Sequence, residues 1–545
     1  MPPSPPTSER PVYDLLYTNA DTLNEDILLA IFHHYRLDHE ENWNRQLRWC
    51  KLSHVCRKWR HIIHRSSFLL NIHIHLMNGT PLFDTLSHLP PLPLIIDYRG
   101  KNTDDDHRIL HAIRHRNRVL RVVSQAPSLY LSRLIVLMDG SFLRLESLSL
   151  LSTTKLEEGT RLVIPKTFLA PNLCHLSLHG ISLSKGLPSL ASMFLLVTLE
   201  LSGIQSPGYF APATLVTRLS HLPQLENLSL GFATPLPRPS AEGELLQVPI
   251  TLTALPALRQ LTFRGVSVYL EDLLARISSP LLQRCDITLF NQLSFTLPHL
   301  SQFVGTTETL RDPVANVVFN QEGVSFVAGP RDEFNDGTFS LRVSCKPFGW
   351  QIDSLTQICG ALALVVSTVE ELTLDFEEEN LPSDWQDEVD AMMWHGLFWP
   401  FSGVKKLRIG YPLASELSNV LESDNAGLVL GLLPELQELE TQVELGHLNK
   451  AFETFIDARQ LAGRHVRLSV SVVVISTTVP TPAVDKPTGP FQSTTDEDEP
   501  SVSFPAPVRK NWFKRAVVEP VRRRLRSRTT RTRVDWPLNV NPSSL

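Results

Sequence analysis

Several groups of residues in this 545-residue chain could in principle do chemistry. Histidines pair at His33-His34, His61/His64 and His73/His75. His61 and His64 lie one helical turn apart and could share a metal. Zinc, however, is ordinarily held by two fixed pairs of ligands, usually including cysteine, and no second pair accompanies them. The six cysteines are Cys50, Cys56, Cys174, Cys285, Cys345 and Cys359, with no CxxC pair among them. That spacing fits buried thiols in a reducing compartment better than a disulfide framework. The acidic run Asp375, Glu377, Glu378, Glu379, Asp384, Asp387, Glu388 and Asp390 could be read as a cation or carboxylate-pair site. A solvated loop and the acidic start of a helix explain it more simply. The stretch MMWHGLFWPF that follows, with Trp394, Leu397 and Phe398, reads as a buried return helix before a strand at Val404. There is no phosphate-binding GxxxxGK[ST] loop, no GxGxxG after a strand, no HExxH and no GxSxG. No catalytic residue, metal site or cofactor is therefore expected, and the chain is read as a non-enzyme.

The elements that would carry any function separate by composition. The hydrophobic fraction is 42% and the charged fraction 20%, enough for a sizeable core, with a formal net charge of −6. That average hides an asymmetry, because Arg509–Arg533 is strongly basic with Glu519 as its one acid. The basic run VRRRLRSRTTRTRV could serve nuclear import, a nucleic-acid contact or an anionic membrane. Thr494 and Thr495 precede a cluster of acids and could be phosphorylated. The N-terminus MPPSPPTSER lacks the basic and apolar regions of a secretory signal, and no apolar run approaches the ~20 residues of a membrane helix. The expectation is a soluble chain with no membrane span, cytoplasmic and/or nuclear. Four zones follow: 1–20, Pro-rich and disordered; 21–70, helical; 71–475, a Leu-rich repeat region; 476–545, a disordered tail with acidic and basic segments.

In the helical zone, Thr22 and Glu25 have capping-box spacing. Leu23, Ile27, Leu28, Ile31 and Phe32 follow at helical period, and Leu52, Val55, Cys56, Trp59, Ile62 and Ile63 form a second stripe. The opening Leu23-x-x-Asp26-Ile27-Leu28-x-x-Ile31-Phe32 and the string Val55-Cys56-Arg57-x-Trp59 resemble the F-box motif. The resemblance covers residues 21–70, and the whole chain is similar to F-box proteins with leucine-rich repeats of the expanded basidiomycete fungal family. Asn24 stands where that family commonly has Pro, Leu69-Leu70 where it often has Leu-Trp, and the connection Leu37–Trp49 is long.

The repeat zone carries LxxLxL at Leu145/Leu148/Leu150, Leu173/Leu176/Leu178, Leu196/Leu199/Leu201, Leu225/Leu228/Leu230 and Leu258/Leu261/Phe263. Successive copies start 28, 23, 29 and 33 residues apart, in or just above the range of leucine-rich repeats. Looser copies begin at Leu282, Val369, Val404 and Leu436. The runs NIHIHL, LPLIIDY and VLRVV read as degenerate first turns, VVFNQEGVSFVAG and TFSLRVSC as strands off the pattern, and VRLSVSVVV as a closing edge strand. Each unit cannot bury its apolar side alone, so stacked units share one core. The fold class expected is α/β: a small N-terminal helical F-box bundle, then an irregular leucine-rich-repeat solenoid and a disordered tail. An ordinary α/β domain of βαβ units is the alternative.

Alternation along each run turns its third and fifth positions away from the core. In the first half these are Ser147/Ser149, His175/Ser177, Thr198/Glu200, Asn227/Ser229 and Gln260/Thr262; in the second half they include Glu371, Lys406, Arg408, Glu438 and Glu440. The charged second half is the expected target-binding surface. The resemblance implies docking to a Skp-type adaptor, and through it a cullin–RING ubiquitin ligase, by Leu23, Ile27, Leu28, Ile31, Phe32, Leu52, Val55, Cys56 and Trp59. Ile31, Phe32, Val55 and Trp59 are the leading candidates for adaptor contact or its direct support. The chain would then be the substrate receptor of an SCF-type ligase, holding a target protein for ubiquitin transfer. Two alternatives stay open: an adaptor-independent scaffold, and a nucleic-acid-binding protein using Lys51, Arg57, Lys58 and Arg60 with the tail, although nucleic acid is not the expected partner.

Overall fold

The computed structural model describes residues 23–37, 48–67, 70, 73–76, 92–100, 106–154, 162–184, 187–205, 208–235, 252–329, 338–377, 389, 391–411, 413–414, 416–417, 431–444 and 450–473. Contacts cluster residues 1–474 into one compact unit, which holds all of these. The expected disordered stretches 1–20 and 476–545, with Thr494, Thr495 and the basic run, lie outside the described residues, as does Thr22 of the capping box.

The described residues open with the helices α1 (Glu25–Leu37), α2 (Arg48–Ser53) and α3 (Arg57–Arg65). Strands follow: β1 (Ile74–Leu76), β2 (Leu94–Arg99), β3 (Val119–Ala126), β4 (Ser147–Ser152), β5 (Val163–Ile164), β6 (His175–His179), β7 (Ser182–Leu183), β8 (Thr198–Ile204), β9 (Asn227–Phe232) and β10 (Thr253–Ala254). The remainder are β11 (Gln260–Gly265), β12 (Ile277–Ser278), β13 (Arg284–Phe290), β14 (Val314–Asn320), β15 (Gly323–Ala328), β16 (Thr338–Ser344), β17 (Glu371–Phe376), β18 (Lys406–Ile409), β19 (Glu438–Glu444) and β20 (Arg467–Val473). Sixteen of them form one sheet in the order β1-β2-β3-β4-β6-β8-β9-β11-β13-β16-β15-β14-β17-β18-β19-β20. The short pairs β5/β7 and β10/β12 lie apart from it. The architecture is mixed α/β with a large sheet of mostly parallel strands, consistent with a repeat solenoid.

Leucine spacing explains the register. In each LxxLxL copy the first Leu lies just ahead of the strand and the other two alternate inward along it, so Leu148/Leu150, Leu176/Leu178, Leu199/Leu201 and Leu228/Leu230 stack in two rows. All are buried. The degenerate runs are strands as well, β1 to β3, and VRLSVSVVV supplies β20 at the far edge. Return segments carry helices such as Pro212–Leu219, Ser267–Leu274 and Ala391–Phe398, the last burying Trp394, Leu397 and Phe398.

The stretch that misses the leucine pattern interrupts the parallel order. β14, β15 and β16 form an antiparallel meander entered from its far side: β16 joins β13 and β14 joins β17, both parallel. The β14–β15 turn is closed by Asn320, whose Oδ1 accepts from the amides of Glu322 at 3.0 Å and Gly323 at 2.9 Å. Gly323 is required there, because a Cβ would run into the Val343 carbonyl.

Two charged side chains are spent on structure. Glu271, on the helix Ser267–Leu274, accepts from the amides of His299 at 2.7 Å and Leu300 at 2.9 Å. It thus caps the next repeat's helix, Pro298–Thr306, whose own N-cap residue Leu297 offers no side-chain bond. Arg459, fully buried, donates to the carbonyls of Leu432 at 2.7 Å, Leu433 at 3.1 Å and Pro434 at 3.2 Å. Leu433 has φ 44°, a left-handed turn that the guanidinium holds from inside.

Candidate functional site

The first three helices have two faces of opposite character. α1 starts with Glu25 and Asp26, which suit the positive end of a helix. α3 starts at Cys56, an extended N-cap whose Sγ accepts from the Trp59 amide at 3.4 Å. Lys58 Nζ donates to the Leu23 carbonyl at 2.8 Å, tying the start of α3 to the start of α1. Arg60 Nε donates to the Ser53 carbonyl at 2.9 Å, closing the α2–α3 turn. On the inner face Leu28, Phe32, Ile62 and Ile63 are buried and continue into Leu70, Ile74 and Leu76, so helices and sheet share one core. The Trp59 ring meets Phe32 edge-on, centroids 4.9 Å apart.

On the outer face, Ile27 is 49% exposed, Ile31 42% and Val55 56%. The predicted adaptor residues therefore divide. Ile27, Ile31 and Val55 face outward; Leu28 and Phe32 are core; Leu23, Leu52 and Trp59 are partly buried against that core, and the Cys56 thiol is taken by a cap. The Lys58–Leu23 bond sets the Val55 turn at the same end of the helix pair as Ile27. Tyr35 extends the stripe Ile27, Ile31, Tyr35 at four-residue steps and is also exposed. Sequence reasoning stopped at Phe32 and missed it, although the i+4 continuation was there to be read. Of the basic residues on these helices, Lys58 and Arg60 hold backbone carbonyls rather than an open face.

The predicted target-binding residues come together across β17, β18 and β19. Glu371, Lys406 and Glu438 form one row in register, and Thr373, Arg408 and Glu440 the next. Lys406 Nζ lies 3.3 Å from Glu438 Oε2 and 3.7 Å from Glu440 Oε2, and Arg408 Nη2 lies 2.9 Å from Glu440 Oε2. These charges largely answer one another.

The outward face of the first half differs from the expected open polar surface. Ser147, Ser149, His175 and Ser177 point away from the leucine rows yet are buried, short side chains and one ring sunk among longer neighbours on strands about 4.8 Å apart. Ser177 donates to Glu200 Oε2 at 2.8 Å, and His179 Nδ1 meets Ser202 Oγ at 2.8 Å. Burial, reinforced by the Arg121 charge, pushes His75 and His175 down to about 4. Arg121 itself is lowered by burial, against the favourable fields of Glu146 and Asp97.

Burial pushes the thiols of Cys285 and Cys359 up, and that of Cys345 up to about 11. Among the described residues, Cys56, Cys174, Cys285, Cys345 and Cys359 form no disulfide. Among the described residues no three His, Cys, Asp or Glu side chains converge as a metal site, and no helix is long and apolar enough to cross a membrane.

No protein-family model matches the chain, and no curated protein matches it. Among solved structures it is similar to the leucine-rich repeat-containing protein LegL7 from Legionella pneumophila, at 11% identity over 72% of this chain and 99% of that one, with a TM-score of 0.24. So loose a superposition argues nothing about function, and the fold stands on the strand register alone.

Proposed function

We propose that the N-terminal helices are an F-box docking module and that the chain is a substrate receptor of an SCF-type ubiquitin ligase. The module docks a Skp-type adaptor, and the repeat sheet holds a target protein. The observation that carries this reading is the exposure of Ile27, Ile31 and Val55 on a helical unit whose other side is already sealed into the core. Aliphatic side chains at helical spacing on an outward face are the anchors an apolar groove takes up. The motif resemblance around Val55-Cys56-Arg57-x-Trp59 supplies the partner's identity. In this reading the chain performs no covalent chemistry; its contribution is proximity.

The test is co-purification with a Skp-type adaptor, comparing wild type with Ile31→Asp and Val55→Asp. Both positions are exposed, so the substitutions leave the core intact. Loss of the adaptor from folded variants is the expected result. Retention by the double variant would overturn the docking assignment in favour of an adaptor-independent scaffold.

A further inference from the structure

We propose that the outward face of the sheet between β3 and β6 is a recognition site for a single carboxylate, built from Arg121, Ser147 and His175. Strand register places these three in one row, Arg121 beside Ser147 and Ser147 beside His175.

The argument starts from unmet hydrogen-bonding capacity. Ser147 is 3% exposed and His175 5%, and neither Ser147 Oγ nor His175 Nε2 has a partner. A buried polar atom without a partner forfeits about 1–3 kcal/mol, so it rarely persists without a purpose. Arg121 is half-buried beside them, and among the described residues no hydrogen bond or contact ion pair engages it. Several other outward positions are satisfied internally. Ser177 serves Glu200, His179 serves Ser202, and Lys406 and Arg408 serve Glu438 and Glu440. The other orphan hydroxyl on these strands, Ser124 Oγ, sits in register with the core residue Leu150.

The chemistry of the row selects the ligand. A guanidinium presents a planar fork that a carboxylate meets with two parallel bonds. The Ser147 hydroxyl and His175, as the neutral ring with its hydrogen on Nε2, add two donors at the same height on the sheet. Glu146 and Asp97 lie close enough to act on Arg121, so the local field tolerates one added negative charge far better than the two of a phosphate. On the function proposed above, which this inference deepens and on which it rests only for the source of the group, the carboxylate belongs to the captured target, as an acidic side chain or as its C-terminus.

The experiment follows the His175 ring by carbon-13 NMR in the full chain, assigned with His175→Gln. Four probes are titrated: N-acetylglutamate amide, with a side-chain carboxylate only; N-acetylalanine, with a C-terminal carboxylate only; N-acetylglutamine amide, with neither; and inorganic phosphate. The expected result is a saturable shift with one or both carboxylates, none with the glutamine amide, and about tenfold weaker binding in Arg121→Gln. Which carboxylate binds identifies the source. If Arg121→Gln does not fold, Arg121→Lys and Ser147→Ala replace it, each expected to weaken binding severalfold by removing the fork or one donor. No saturable shift with either carboxylate, an equal shift with the glutamine amide, or tighter binding of phosphate would overturn the proposal. Adaptor docking through Ile31 and Val55 is read separately, so either proposal can fail without the other.

Discussion

Trp59 packs edge-on against Phe32, their ring centroids 4.9 Å apart at 66°, and this contact joins α1 to α3. Both residues belong to the stretch that resembles an F-box motif. The contact makes them supports: it fixes the angle at which α1 presents Ile27 and Ile31, while the rings themselves face inward.

Trp59→Ala should therefore lower stability by about 3 kcal/mol, as expected for truncating a large aromatic at a packed site. Ile31→Asp should stay within about 0.5 kcal/mol of wild type, because the position is exposed. Urea denaturation of the two variants checks this, and equal destabilisation would mean that Ile31 is packed rather than presented.

Arg459 should be irreplaceable in its clamp. Arg459→Met leaves the carbonyls of Leu432, Leu433 and Pro434 without their donor, at a cost of about 3 kcal/mol. Arg459→Lys should recover little, since one ammonium cannot reproduce the fork. Thermal unfolding of both variants decides the point.

Acid should destabilise the first half of the sheet. His75 and His175 have folded pKa values of about 4 against 6.5 when exposed, through burial and then the Arg121 charge. A depressed folded value means the contribution is complete above pH 6.5, erodes as pH falls through that value and is gone near pH 4. The loss is up to about 3 kcal/mol per histidine. Urea midpoints measured from pH 7 to pH 4 should fall, and His175→Gln should reduce the slope by about half. Glu146 and Asp97 face the same arginine, so His75→Gln serves as the second variant.

Glu271→Ala should cost about 1–2 kcal/mol by uncapping the helix Pro298–Thr306. Hydrogen exchange at His299 and Leu300 should speed up locally. Unchanged protection there would show that the cap contributes nothing.

The Lys406–Glu440 ladder should matter little for stability. Lys406→Ala is expected to cost less than about 1 kcal/mol, as for partly exposed ion pairs. A larger loss, seen equally in high salt, would point to packing by its aliphatic stem.

Leucine spacing determined the strands of the LxxLxL copies and their inward rows, because a period of two and a repeat near 28 residues admit few stackings. A different period, that of the helix, located the two helical stripes. Only the folded chain decided which members of those stripes are core and which are presented: Phe32 and Ile31 are adjacent apolar residues, and the step of about 100° between successive helical positions separates their fates. The reversed order β16-β15-β14 was likewise beyond a one-dimensional reading, since strand pairing is settled by long-range contacts and not by the local alternation that reveals a strand. Charge pattern drew attention to Lys406, Arg408 and Glu440, whose partners turned out to be one another. The unsatisfied row at Arg121, Ser147 and His175 is spread over 55 residues of ordinary-looking sequence and exists only because parallel register lays three strands side by side.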